Sequence, residues 1–296
     1  MPIAQQFQYA KPKTLEGAVA LLAEHGEGAT VLAGGTDVVS MLRDDDLAPD
    51  IVVDIKGIGG LSNIKLAGDT LLLGPLVTFS DLVGSSVIRE SFPLFYEMAA
   101  VVASRGIRNR GTVVGNICTA VPSCDSGPVL LVHDASVHLL GQAGERTVRI
   151  GDWFTGPRET ALAPDELVIG LEMPAAAMNC GGSYVKLRRY HGEDLAQANV
   201  AVLMSPEYEY RVAFGAVAPT PVRARKLEAA IRGREPSDAF FAEARKLIAR
   251  ETSPIEDIRA TAEYRAHMLN VMFERGVRAA AERLDGGGPD YGTEHI

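Results

Sequence analysis

Two glycine-bearing segments carry the residue types best suited to holding a ligand. The first is Leu32-Ala33-Gly34-Gly35-Thr36-Asp37, set between the end of a β-prone run and the start of a helical one. Paired glycines let the backbone approach an anion closely and leave amides free to donate to phosphate oxygens, so a pyrophosphate fits. The segment has neither the three spaced glycines of the dinucleotide fingerprint nor the Gly-Lys-Ser/Thr ending of a mononucleotide loop. The competing reading is a tight turn in which Thr36 or Asp37 caps the next helix. A carboxylate repels phosphate, so Asp37 is expected to cap while the backbone faces the ligand. The second segment is Arg108-Asn109-Arg110-Gly111-Thr112-Val113-Val114-Gly115-Asn116-Ile117-Cys118-Thr119, continuing through Pro122 to Asp125. Its glycines alternate with hydroxyl and amide side chains, a composition that suits a ribityl chain and diphosphate, or else a polar loop that satisfies its own backbone.

Other reactive residue types yield less. His133 and His138 cross an apolar stretch with no zincin-like carboxylate pattern, so they read as structural. Cys118, Cys124 and Cys180 are one thiolate short of a four-cysteine cluster, and Cys118 and Cys124 read as small packed thiols. No nucleophile elbow or Ser-His-Asp ordering stands out, so no catalytic side chain and no metal site are expected.

The elements that must position the two segments follow from caps and periodicity. Thr14 before Leu15, Ala18, Val19 and Leu22 predicts a helix, Ala29–Leu32 a strand, residues 38–42 a second helix and residues 50–55 a buried strand. Gly68-Asp69 between apolar runs predicts a hairpin over residues 63–74. A helix is expected over residues 91–104, an irregular segment over 106–128, and strands at 135–140, 146–150 and 166–172. Residues 183–187, 198–204 and 208–218 predict a three-stranded meander, followed by helices over 222–231, 237–250 and 259–284. The tail, residues 285–296, has no apolar periodicity and is expected to be mobile. The chain therefore divides into an α/β part (1–57), an α+β part (58–176), a C-terminal sheet-plus-helices part (177–284) and the tail.

At 296 residues, with 47% hydrophobic, 6% aromatic and 23% charged residues, the chain has a globular composition. A formal charge of −9, with Lys and Arg scattered, disfavours nucleic acid. Every apolar run stops short of a membrane span and no signal pattern opens the chain, so a cytoplasmic protein is expected.

Taken in this order, the two glycine segments resemble those of the FAD-binding subunit of the molybdenum hydroxylases, the family of xanthine and carbon monoxide dehydrogenases. The resemblance continues in Phe154-Thr155-Gly156-Pro157, Asp165-Glu166-Leu167, Gly215 to Pro221 and Ala262-Glu263-Tyr264-Arg265. It implies an α+β fold, with two FAD-binding subdomains and a C-terminal domain of a three-stranded sheet plus helices. It further implies that Leu32, Ala33, Gly34, Gly35, Thr36 and Asp37 wrap the FAD pyrophosphate. Thr112, Gly115, Asn116 and Thr119 would approach from the other side, and Asp125 would accept from sugar or ribityl hydroxyls. Val168 would contact the flavin, and Lys186 would lie near the isoalloxazine and favour the reduced anion. Tyr190 would cover one ring face beside a polar loop of His191, Glu193 and Asp194. The family usually has two adjacent glycines where this chain has Val114-Gly115. A positive φ there would strain Val114 by about 1 kcal/mol or more.

The function so implied is electron transfer in a multi-subunit hydroxylase. An iron–sulfur subunit with [2Fe–2S] clusters and a molybdopterin subunit would be partners, NAD or another compound the acceptor, and no hydroxylation is expected of this chain alone. The alternatives are a flavin-free scaffold subunit, for which Val114 speaks, and a stand-alone flavin oxidoreductase.

Overall fold

The computed structural model describes residues 3–175, 179–190 and 194–293. The first part is a parallel sheet with a helix packed on it. Strand β1 (Gln8–Ala10) leads to helix α1 (Leu15–His25), then β2 (Ala29–Leu32), α2 (Val38–Arg43) and β3 (Ile51–Asp54). The sheet order is β1-β3-β2, with both outer strands parallel to β3. Thr14 caps α1 by accepting from Gly17 N at 3.1 Å, and Ala18, Val19 and Leu22 bury the apolar face on β3 and β2.

The second part begins with the hairpin of β4 (Ile64–Ala67) and β5 (Thr70–Leu73). Six short helices follow: α3 (Phe79–Gly84), α4 (Ser86–Ser91), α5 (Pro93–Ala100), α6 (Arg105–Arg108), α7 (Val113–Thr119) and α8 (Ser126–Val132). Strands β6 (Ser136–Gly141), β7 (Gly144–Arg149), β8 (Phe154–Gly156), β9 (Glu159–Thr160) and β10 (Leu167–Pro174) complete it. The five-stranded antiparallel sheet runs β4-β5-β10-β6-β7, and β8 pairs with β9 apart from it.

The third part holds β11 (Gly181–Leu187), β12 (Ala198–Met204), β13 (Tyr210–Gly215), β14 (Val222–Arg223), α9 (Arg225–Ile231), α10 (Asp238–Glu251) and α11 (Ala262–Leu284). Strands β11, β12 and β13 are buried along almost their whole length because both faces of the sheet are covered. Tyr184, Ala201, Leu203 and Ala213 join the core of the second part, whereas Val185, Val200, Val202, Val212 and Phe214 face Phe240, Phe273 and Val277 of α10 and α11.

Three expectations need correction. Residues 106–128 are not irregular: caps at Ser104 and Thr112 turn most of them into α6, α7 and the start of α8. The meander is four-stranded, since Val222 and Arg223 pair with Phe214 and Ala213 before α9 begins. Residues 285–293 lie against the body rather than free of it. Tyr291 hydroxyl accepts from Gly182 N at 3.1 Å, the Arg283 guanidinium sits 4.0 Å from its ring centroid, and Gly292 N donates to Glu97 Oε1 at 3.3 Å. Arg283 also forms an ion pair with Glu97 at 2.8 Å, both side chains being buried.

Candidate functional site

Segment 32–37 leaves β2 at the open end of the parallel sheet and meets segment 110–119 directly. The approach is closest at Gly34, where a Cβ would stand 2.0 Å from the carbonyl oxygen of Arg110. Only glycine fits there, and Gly35 beside it takes φ +81°. Further along, Thr119 Oγ1 donates to Asp37 Oδ2 at 2.9 Å and ties the end of α7 to the start of α2. Asp37 thus does not cap α2, as the sequence suggests; no side-chain cap bond forms because Thr119, 82 residues distant, claims the carboxylate.

The backbone of the first segment is polarised in one sense. Lys56 Nζ donates to the carbonyl oxygens of Ala33 at 3.1 Å and of Leu32 at 3.5 Å. Among the described residues, the amides of Gly34, Gly35, Thr36 and Asp37 meet no hydrogen-bond acceptor. Four consecutive unspent donors are available to an anion. Lys56 is held by Asp54, with Nζ at 2.8 Å from Oδ1 and its own amide donating to the same oxygen at 2.9 Å. Tyr9 hydroxyl donates to Asp54 Oδ2. Burial would raise the Asp54 pKa, but hydrogen bonds from Lys56 and Tyr9 outweigh it and hold the carboxyl below its ordinary value. The sequence reading missed Tyr9, Asp54 and Lys56; the one local signal was the Asp54-x-Lys56 pair at the end of a buried strand.

The second segment is built on α7. Thr112, buried, caps the helix by accepting from Gly115 N at 2.9 Å. Val114 lies inside the helix with no positive φ and 5% exposed, so the strain foreseen for it does not arise. Asn116 Oδ1 accepts from Cys124 Sγ at 3.0 Å, Ser126 N at 3.2 Å and Ser126 Oγ at 2.7 Å. Its Nδ2 has no acceptor among the described residues and is the atom left to donate outward. Trp153 Nε1 donates to Ile117 O at 3.0 Å from beneath.

The third cluster lies where the second part meets β11. Asp125 accepts from Tyr184 hydroxyl at 2.7 Å and from Lys186 Nζ at 2.7 Å. Lys186 is therefore not an isolated positive charge: its side chain is 3% exposed and its partner cancels it. Val168 is 3% exposed in the same core as Val114 and Ile117. The predicted residues thus fall into one joined pair of loops, 32–37 with 112–119, and one polar pair, Asp125 with Lys186, linked through Asn116 and Ser126. Val168 packs beneath them.

His133 is structural, its Nδ1 donating to Val129 O at 2.7 Å. Burial pushes the thiols of Cys118 and Cys124 up to about 12, so both stay protonated. Tyr190 is 65% exposed and Asp194 accepts from Arg189 N at 2.6 Å, whereas His191 and Glu193 lie outside the described residues. No group of His, Cys, Asp and Glu among the described residues is arranged to hold a metal, and no described helix is long and apolar enough to cross a membrane.

A family model described as the FAD binding domain in molybdopterin dehydrogenase matches residues 5–176, and one described as the CO dehydrogenase flavoprotein C-terminal domain matches residues 182–280. The carbon monoxide dehydrogenase medium chain of Hydrogenophaga pseudoflava is 33% identical over 289 residues, covering 95% of this chain and 99% of its own. Caffeine dehydrogenase subunit beta of Pseudomonas sp. (strain CBB1) is 32% identical, covering 94% and 96%. A solved structure of the Hydrogenophaga pseudoflava carbon monoxide dehydrogenase superposes with a TM-score of 0.91 at 33% identity, over 96% of this chain and 99% of that one.

Proposed function

Since the chain belongs to the FAD-binding medium subunits of the molybdenum hydroxylase family, we propose that it carries FAD as the electron-transfer subunit of such a complex. The observation that carries the reading is the row of four unspent amides at Gly34 to Asp37, in a loop that the absence of a side chain at Gly34 lets pack directly on the second. These donors fit a diphosphate without a positively charged side chain in direct contact.

The roles divide between backbone and side chain. The amides of Gly34, Gly35, Thr36 and Asp37 would hold the pyrophosphate, with Leu32 and Ala33 shaping the approach. Thr112 and Thr119 are committed inside the protein, so they would hold Gly115, Asn116 and Asp37 in place. Asn116 Nδ2 would donate to a ribityl or phosphate oxygen. Asp125 and Lys186 would present a neutral polar pair to the flavin end, and Val168 would support it from the core. Bound FAD would supply the redox chemistry, gathering single electrons from iron–sulfur clusters into pairs for the acceptor.

An iron–sulfur subunit and a molybdopterin subunit would complete the assembly, with electrons leaving to NAD or another acceptor, in the cytoplasm. Hydroxylation would belong to the molybdenum subunit, and this chain alone would not perform it. The flavin-free scaffold alternative loses its support now that Val114 sits unstrained in α7. Purified chain incubated with FAD and desalted is expected to keep stoichiometric flavin absorption. A colourless protein after reconstitution would overturn the reading.

A further inference from the structure

Behind the first loop lies a cluster of Tyr9, Lys11, Asp54 and Lys56, whose printed bonds run to one another and to the carbonyls of Leu32 and Ala33. Its Lys56 side chain is 30% exposed, a state in which a lysine ordinarily trails into solvent. Here it is fixed instead. Asp54, the buried last residue of β3, receives both the ammonium and the amide of Lys56, while Tyr9 hydroxyl closes its other oxygen and Lys11 Nζ stands 3.9 Å away. Two ammonium groups against one carboxylate leave a surplus positive charge at the base of the loop.

The direction of that charge matters. In a trans peptide the carbonyl and the N–H point to opposite sides. The Ala33 oxygen accepts from Lys56 at 3.1 Å, so the N–H of the same peptide, that of Gly34, points away from Lys56, and it is the first of the four amides without an acceptor. A cation hydrogen-bonded to the carbonyl strengthens the N–H as a donor and fixes the plane of the peptide. We propose that Lys56, anchored by Asp54 and Tyr9, is a positioning residue that orients and charges the Ala33–Gly34 peptide for a dinucleotide pyrophosphate. It acts from behind the loop, through the backbone, without contact with the cofactor.

This rests on the FAD reading above, and one titration series separates the two. Full-length apo protein is titrated with FAD and, separately, with ADP as a pyrophosphate probe, at low and high NaCl. Wild type is expected to bind both, more weakly at high salt. K56M and K56Q are each expected to lose about tenfold in affinity for both ligands and to show a flatter salt dependence, while K56R stays within about threefold of wild type. K56M keeps the apolar length of the side chain and K56Q keeps an N–H group, so a loss shared by both reports the charge. Wild-type affinity in K56M or K56Q, or K56R as impaired as K56M, overturns the role of Lys56 with the FAD reading intact. A wild type that binds neither FAD nor ADP overturns both.

Discussion

Gly34 tolerates no side chain, because the space a Cβ would need is already held by the Arg110 carbonyl at 2.0 Å. G34A is therefore expected to push the two loops apart and abolish retained flavin, measured as absorbance per folded chain after desalting. The contrasting substitution is V114G, which removes a buried side chain from α7 and introduces a glycine into a helix. It is expected to lower stability by about 2–4 kcal/mol in urea titration, with flavin content per folded chain unchanged. Residues of this kind were legible in the sequence to the extent that their chemistry is local. The paired glycines of the first loop, and the glycines set among hydroxyl and amide side chains in the second, make both loops readable from composition alone. Asp37 departs from its expected cap for the complementary reason: a capping rule looks two or three residues ahead, and Thr119 competes from the far side of the fold. Tyr9 and Asp54 meet across 45 residues, and no spacing rule connects them.

Helices α7 and α8 are the elements that deliver the site, and at seven residues each they are too short for an apolar stripe to reveal them. Gly111, Gly115, Pro122 and Pro128 make the segment look like loop, whereas Thr112 as a cap on α7 and the burial of every residue of α8 make it helical. The longer helices α1, α10 and α11 were readable because each carries its own cap and two or more turns of periodicity. At the C-terminal end of α8, His133 is buried against Phe92 and Phe95 with Asp134, Arg211 and Arg223 nearby, and burial pushes its pKa down to about 4 from 6.5. The fold thus favours the neutral ring. Its contribution is present in full above the unfolded pKa and is lost as pH falls from about 6.5 towards 4, on the order of 3 kcal/mol across that window. H133Q is expected to flatten the loss of stability between those pH values in chemical denaturation; an unchanged acid limb would refute this origin.

At the scale of the whole molecule, the division into 1–57, 58–176 and 177–284 is proposed as one of sequence units rather than of independently stable bodies. Sheet β11 to β13 lends Tyr184, Ala201, Leu203 and Ala213 to the core of the second part, and Glu97 of α5 pairs with Arg283 at the end of α11. A fragment of residues 1–176 is accordingly expected to expose the faces of α5 and α8, to bind hydrophobic dyes and to aggregate on size-exclusion chromatography, even though it contains both glycine loops. A soluble, flavin-binding fragment would contradict this. The shared core was hidden from sequence reading because an apolar run does not say which of its two faces belongs to which neighbour. Trp153 is the single tryptophan of the chain, fully buried, with its indole nitrogen bonded to Ile117 of the helix that carries the second loop. Flavins absorb where indole emits, so the protein contains one built-in donor fluorophore beside its proposed acceptor chromophore. Loading of the site can be followed as quenching of intrinsic emission, with no label and no competing tryptophan to subtract.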